Sequence, residues 1–443
     1  MYDFMAKRQK QYESDGSDRI SFLPKPILHH ILSFIETPQV VQTCILSKTW
    51  KNIWRSVPTL DFFKINECTA ELLDLVKFTD SLLFLRDGVN LRKLCLPLRG
   101  NDVGKVNGWI IYAMRHNVEV FEIRNVVRQS IPFTHILNSE SLRVFRLVST
   151  VLDLPASISL PALKVLKFLN VTVKDGQLEV LISAIPSLET LILEGCTFQS
   201  SSLTISATQL KNLVMSGEFP DSTVICTPNL VSLKLGIHKK PSPTITFDCS
   251  LLSLSYAILD YVQIRSQSLI QLMSTLKNAR SLTLSEYFFA PFARELQKDD
   301  PLLNSIPFYN LRWLKLETYF DDDELASISN ILKNSPEIES IVLVNKGWSK
   351  RKRGTEAEKL LPKYKLSHLK LVEIQDIIGS VNEVKMIKSL LENAMVLEKL
   401  IITVREDKDR SSKKKQKLMN LGKKLLTFPR TSASVGILYA QNW

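Results

Sequence analysis

From residue 90 onward the chain repeats one spacing of apolar positions, apolar-x-x-apolar-x-apolar. It occurs as LRKLCL at Leu91, VEVFEI at Val118, LRVFRL at Leu142, LKVLKF at Leu163, LETLIL at Leu188, LKNLVM at Leu210 and LVSLKL at Leu230. Less regularly it continues as LLSLSY at Leu251, ARSLTL at Ala279, LRWLKL at Leu311, IESIVL at Ile338, LKLVEI at Leu369 and LEKLII at Leu397. Successive starts lie 20 to 32 residues apart, the interval of a repeated supersecondary unit. Each copy predicts a short strand. Because strand side chains alternate faces, Leu191 and Leu193 are expected inward and Thr190 and Ile192 outward. By the same rule Leu314 and Leu316 point inward, and Trp313 and Lys315 outward. These four outward residues are the candidate target-binding positions. Between strands, DGQLEVLISAIPS (Asp175 to Ser187) and DDDELASISNILKNSP (Asp321 to Pro336) carry helical periodicity with acids at the start and proline at the end.

A unit of this size cannot bury its apolar face alone, so neighbours must stack into a solenoid of parallel strands with helices or irregular segments outside. The expected class is α/β, and a generic α/β domain with leucine-rich strands is the alternative. The pattern resembles plant-type leucine-rich repeats; LETLILEGCTF (Leu188 to Phe198) fills their full consensus, with Cys196 at the asparagine-or-cysteine position. The chain from Leu361 to Tyr439 resembles the FBD module that ends many such proteins. In it, LKLVEI, the amphipathic NEVKMIKSLLENA and LEKLIITV form a strand–helix–strand unit, and ASVGILY a final strand. Its expected role is to cap the open end of the solenoid.

The N-terminal pattern differs. In LPKPILHHILSFI, Ile27, Leu28, Ile31, Leu32 and Ile35 form one helical stripe, and His29 and His30 fall on opposite flanks, too divergent to share a metal. The histidines are expected in solvent. Thr37 and Ser47 are expected to cap two further short helices, and Trp50 and Trp54, four apart, share a face. Three such short helices cannot bury all these side chains among themselves, so a partner or the first repeats should complete the surface.

The stretch from Asp18 to Phe62, with Leu-Pro, ILSF, LSKTWKNIW and VPTLDF, resembles a plant F-box. Lys25 and Thr49 stand where that family more often has an acid and a basic residue. The resemblance implies docking on the Skp-type adaptor of a cullin-based ubiquitin ligase. Leu23, Pro24, Leu28, Ile31 and Leu32 would pack on the adaptor, and Ile45, Leu46, Ser47 and Trp50 would complete the contact. The expected organisation is a loose tail at 1–17, F-box at 18–62, solenoid at 63–345, basic linker at 346–363 and FBD-like cap at 364–443.

Composition narrows the function. Hydrophobic residues are 45% and charged residues 23% of 443, as in an ordinary folded protein, and no apolar run approaches the roughly 20 residues of a membrane span. Six dilute cysteines without C-x-x-C pairs predict reduced thiols and no zinc. The net charge of +12 gathers late, in SKRKRG (Ser349 to Gly354) and KKKQK (Lys413 to Lys417). Such runs read as solvated loops or nuclear-import signals rather than a nucleic-acid surface, and the compartment expected is nucleus, cytoplasm or both. GNDVGK (Gly100 to Lys105) is too short for a phosphate loop and has Val106 where Ser or Thr is needed. DDDE (Asp321 to Glu324) fits helix capping better than a cation site, and nothing pairs a nucleophile with a base. The expectation is a non-catalytic substrate receptor without cofactor, binding adaptor, cullin (through the adaptor) and an unknown target protein. Its rivals are a small-molecule-sensing co-receptor, a non-degradative scaffold and, less well supported, a GTPase-activating repeat array.

Overall fold

A computed structural model of the chain describes residues 20–62, 72–98, 103–125, 133–237, 243–262, 266–297, 305–347, 364–405 and 412–440. The expected tail at 1–17 and the basic run at Ser349 to Gly354 lie outside them, as does His238. The chain divides into two compact units, Met1–Leu163 and Lys164–Trp443.

The first unit opens with helices α1 (Lys25–Leu32) and α2 (Thr37–Gln42) and two tighter 3-10 turns, Thr43–Ile45 and Trp50–Ser56. Strand β1 (Thr59–Asp61) follows, then α3 (Leu72–Leu85), β2 (Lys93–Leu98), α4 (Val103–Arg115), β3 (Val120–Asn125), β4 (Val144–Val148) and the short β5 (Val151–Leu152). Strands β1 to β4 pair in sequence order, all parallel. Leu94, Phe121 and Phe145 lie side by side in that register, each fully buried. The N-terminal helices are tied to this sheet by backbone-level bonds: Asp61 N donates to Thr37 Oγ1 at 2.7 Å, and Arg86 Nη1 donates to the Val57 carbonyl at 2.6 Å.

The second unit is the longer stack. Its main sheet runs β6 (Val165–Leu169), β8 (Thr190–Phe198), β10 (Asn212–Gly217), β12 (Ser232–Ile237), β14 (Tyr256–Val262), β15 (Ser281–Leu284), β16 (Trp313–Thr318), β17 (Ser340–Asn345), β18 (Leu371–Ile377), β19 (Lys399–Val404) and β20 (Gly436–Ala440). Every adjacent pair in that order is parallel. Leu191, Leu193, Leu314 and Leu316 are fully buried, as the alternation requires. Each buried leucine contributes roughly 1.5–3 kcal/mol only when the next strand covers it. Outside the sheet lie α5 (Gln177–Ser183), α6 (Ser266–Thr275), α7 (Glu286–Leu296), α8 (Asp322–Lys333), α9 (Val381–Asn393) and α10 (Ser412–Leu425).

Two expectations are corrected here. Three consecutive returns are strands rather than helices: β9 (Ser202–Ser206), β11 (Ser222–Cys226) and β13 (Thr244–Phe247) make a separate parallel sheet. The cause is period-two sequence, SLTIS, STVIC and TITF, whose Leu203, Thr223, Ile225 and Ile245 face inward. The lysine-rich run, expected as a loop, begins helix α10 at Ser412, whose Leu418, Leu421 and Leu425 are buried.

Candidate functional site

Helix α1 has two apolar sides. Leu28 and Leu32 pack with Val40, Trp50, Ile53 and Val57 in a small core, with Leu23 and Trp54 partly buried against it. Trp50 is fixed there by its indole N–H, which donates to Ser21 Oγ at 2.8 Å; Ser21 Oγ in turn lies 3.1 Å from Ser47 Oγ. The other side is uncovered. Ile27, Ile31, Phe34 and Ile35 are exposed at helical spacing, and Ile20, Phe22, Ile45 and Leu46 are exposed in the flanking turns, Phe22 and Ile45 by more than four-fifths. That much large apolar surface on so short a segment marks a contact face.

The histidines separate as the helix geometry demands. His29 Nε2 lies 3.1 Å from Ser56 Oγ, and burial, with Lys25 and Arg86 nearby, lowers its pKa below the ordinary value. It is therefore half-buried rather than solvated. His30 is exposed and edge-on to Phe34. No group of His, Cys, Asp or Glu that could hold a metal occurs among the described residues.

The open face of the second unit's sheet is built by strand register. One row across it reads Thr190, Asn212, Ser232, Tyr256, Ser281, Trp313, Ser340 and Leu371. Trp313 thus stands between two serines, with Tyr256 beyond Ser281. The next row contains Ile192, Val214, Lys234, Ile258, Thr283, Lys315 and Val342. At one edge Lys346 Nζ lies 3.5 Å from Glu317 and 3.8 Å from Glu286. Burial and the neighbouring Glu317 carboxylate push Glu286 up to about 7, while the hydrogen bond shared between them holds Glu317 down.

Comparison with known proteins places this geometry. The F-box domain model matches residues 20–62, and the model for the LRR domain of At1g61320/AtMIF1 matches residues 84–435. The chain belongs to the F-box, leucine-rich-repeat family. It is 28% identical over 409 residues to the F-box/FBD/LRR-repeat protein At1g51370 of Arabidopsis thaliana, covering 88% of this chain and 90% of the relative. It is 29% identical over 463 residues to the FBD-associated F-box protein At1g66310 of the same plant, covering 98% of each.

Within the F-box, Pro24, Ile31, Ile45 and Leu46 are exposed and Leu23 and Ser47 half-buried. Leu28, Leu32 and Trp50 are at most 5% exposed and belong to the F-box's own core, which corrects their assignment to a partner contact. The reason is that three short helical pieces fold only around a shared core, which takes one half of the α1 stripe. Phe22 and Phe34 are the exposed aromatics that stripe counting missed. The capping roles also shift. Thr37 is the first residue of α2 and binds Asp61 N, and Ser47 binds Ser21.

In the repeats, Thr190, Ile192, Trp313 and Lys315 alternate with the buried leucines and are half-exposed. The copy assigned to Leu251 is displaced by three residues: the strand starts at Tyr256, making Leu254, Ala257 and Leu259 its inward set. Alanine at an inward position hid the spacing, and Tyr256, placed inward by the pattern, is 58% exposed. Cys196 is buried and its thiol is pushed up to about 11 by desolvation. The polar corner of other turns is one residue earlier, at Asn125, Thr318 and Asn345, all buried. Thr318 Oγ1 donates to Glu324 at 2.8 Å, and Asn345 Nδ2 donates to Glu383. Asp321 and Glu324 form a reciprocal capping box on α8, as Ser380 and Glu383 do on α9.

Proposed function

We propose that the protein is the non-catalytic substrate receptor of a Skp–cullin–F-box ubiquitin ligase. The F-box docks on the Skp-type adaptor through Ile27, Ile31, Phe34, Ile45 and Leu46, with Pro24 and Leu23 at the edge. The observation that supports this is the uncovered apolar face of α1 beside a core already complete without it. The open face of the repeat sheet, with Thr190, Ile192, Trp313 and Lys315 joined by Tyr256 and Ile258, receives the target protein. Ubiquitin transfer then works by proximity: holding a target lysine near a loaded conjugating enzyme raises its effective concentration and needs no catalytic group from the receptor. The basic runs near residues 350 and 415 support a nuclear fraction beside a cytoplasmic one.

The test is reconstitution with a Skp-type adaptor. Replacing Ile31 with aspartate puts a charge into the proposed contact and should weaken the complex at least 100-fold while leaving the melting temperature within a degree or two. Undiminished binding by a folded Ile31→Asp protein would reject the docking face.

A further inference from the structure

Helices α3 and α4 of the first unit enclose a cleft of about 490 Å³ that lies away from both the exposed face of α1 and the repeat surface of the second unit. At its base is Arg86, only 7% exposed. Its Nη1 is engaged by the Val57 carbonyl, but Nε and Nη2 have no hydrogen-bond partner. These two nitrogens share one edge of the guanidinium plane, the edge that binds a carboxylate side-on through two parallel bonds. The hydroxyl of Tyr112, also in the cleft, is likewise buried without a partner. Burial holds the Arg86 pKa below its ordinary value, a penalty on the charge that a bound anion would relieve.

The acids nearby are engaged elsewhere. Asp80 accepts from Lys105 Nζ at 2.6 Å and Trp109 Nε1 at 2.7 Å, and Asp87 pairs with Arg55 at 3.1 Å. Lys105 and His116 add positive character to the same cleft, and His116 stacks on Tyr112. Its walls include the ring of Trp109 and the exposed ring of Phe84.

The floor is unusual for a helix. Gly104 and Gly108, one turn apart on α4, line the cleft, and a Cβ built on either meets nothing within 4 Å. Glycine weakens a helix and is normally kept where a neighbour approaches closely. Here no neighbour does; the glycines leave the cleft open.

We propose that this cleft binds a small carboxylate with an aromatic or apolar body, its two oxygens on the free edge of Arg86 and its body against Trp109 and Phe84. The site requires nothing of the ubiquitin-ligase assignment and survives its failure.

Benzoate and its neutral isostere benzamide test it on the full-length chain, by saturation-transfer NMR with titration. Benzoate is expected to bind and benzamide to bind at least tenfold more weakly. Arg86→Lys keeps the charge but removes the two-donor edge, and should weaken benzoate at least tenfold. If that variant fails to fold, Gly108→Leu decides: it fills the cleft, should hold or raise the melting temperature, and should abolish benzoate binding. Equal binding of benzoate and benzamide, benzoate binding unchanged in a folded Gly108→Leu protein, or no benzoate binding at millimolar concentration would overturn the proposal. Inorganic phosphate binding more tightly than benzoate would overturn the carboxylate assignment.

Discussion

Ile31 and Leu32 are consecutive residues of helix α1 with opposite environments: Leu32 is 2% exposed in the F-box core and Ile31 is 41% exposed on the face opposite. Replacing each with alanine should separate folding from binding. Leu32→Ala leaves a cavity among Leu28, Val40 and Trp50 and should cost about 2–5 kcal/mol in denaturant unfolding. Ile31→Ala should change stability by less than about 0.5 kcal/mol while raising the adaptor Kd.

Glu324 should make the stability of the second unit fall as pH rises. It is fully buried, accepts from Thr318 Oγ1 and Tyr319 N at 2.8 Å each, and is pushed up to about 7 by burial and the nearby Asp321 carboxylate. With the folded pKa above the ordinary 4.5, the folded chain holds the extra proton between those pH values. This group's favourable contribution is therefore fully present below about pH 4.5 and lost as pH rises through about 7, on the order of 3 kcal/mol across the window. Glutamine still serves a capping box and cannot ionise. Glu324→Gln should gain stability relative to the parent between pH 5 and pH 8, read by urea unfolding at both; a constant difference would exclude the titration.

Gly217 should tolerate no side chain. Its φ is +120°, and a Cβ there would lie 3.1 Å from the backbone of Gly195 in the neighbouring strand. Gly217→Ala should cost roughly 1–3 kcal/mol in thermal unfolding. Gly176, at φ +67° with open space around it, should lose only about 1 kcal/mol on the same change, from backbone conformation alone.

On the repeat sheet, Trp313→Ala and Tyr256→Ala should leave the melting temperature nearly unchanged and alter the proteins captured in proximity labelling, compared with an F-box-deleted control. Leu314→Asp buries an unpaired charge and should abolish soluble expression. Equal destabilisation by Trp313→Ala and Leu314→Asp would mean that the ring is part of the core and not of a binding face.

Much of this architecture is determined locally. Leucines three and then two residues apart can share a core only by standing on stacked strands, so the inward set Leu191, Leu193, Leu314 and Leu316 follows from side-chain alternation alone. The capping acids of α8 follow equally, since a carboxylate three residues into a helix reaches back to its own N-terminus. Where the pattern is diluted, as at Ala257, the strand becomes legible only when its neighbours set the register that puts Tyr256 outward. The three return strands were legible in period-two sequence, but periodicity does not say that three of them will meet in one sheet.

The sequence by itself determines that helix α1 is apolar over a broad stripe, because hydrophobicity and helical pitch are local properties. Which half of the stripe is core and which is surface is decided by packing: Val40, Trp50, Ile53 and Val57 close over Leu28 and Leu32 and leave Ile27 and Ile31 uncovered. The Arg86 cleft is likewise a tertiary product. Nothing in LRDG (Leu85 to Gly88) distinguishes a surface arginine from a buried one. Only the approach of α3 and α4, with the Val57 carbonyl taking one nitrogen, leaves the other edge of the guanidinium buried and unbonded.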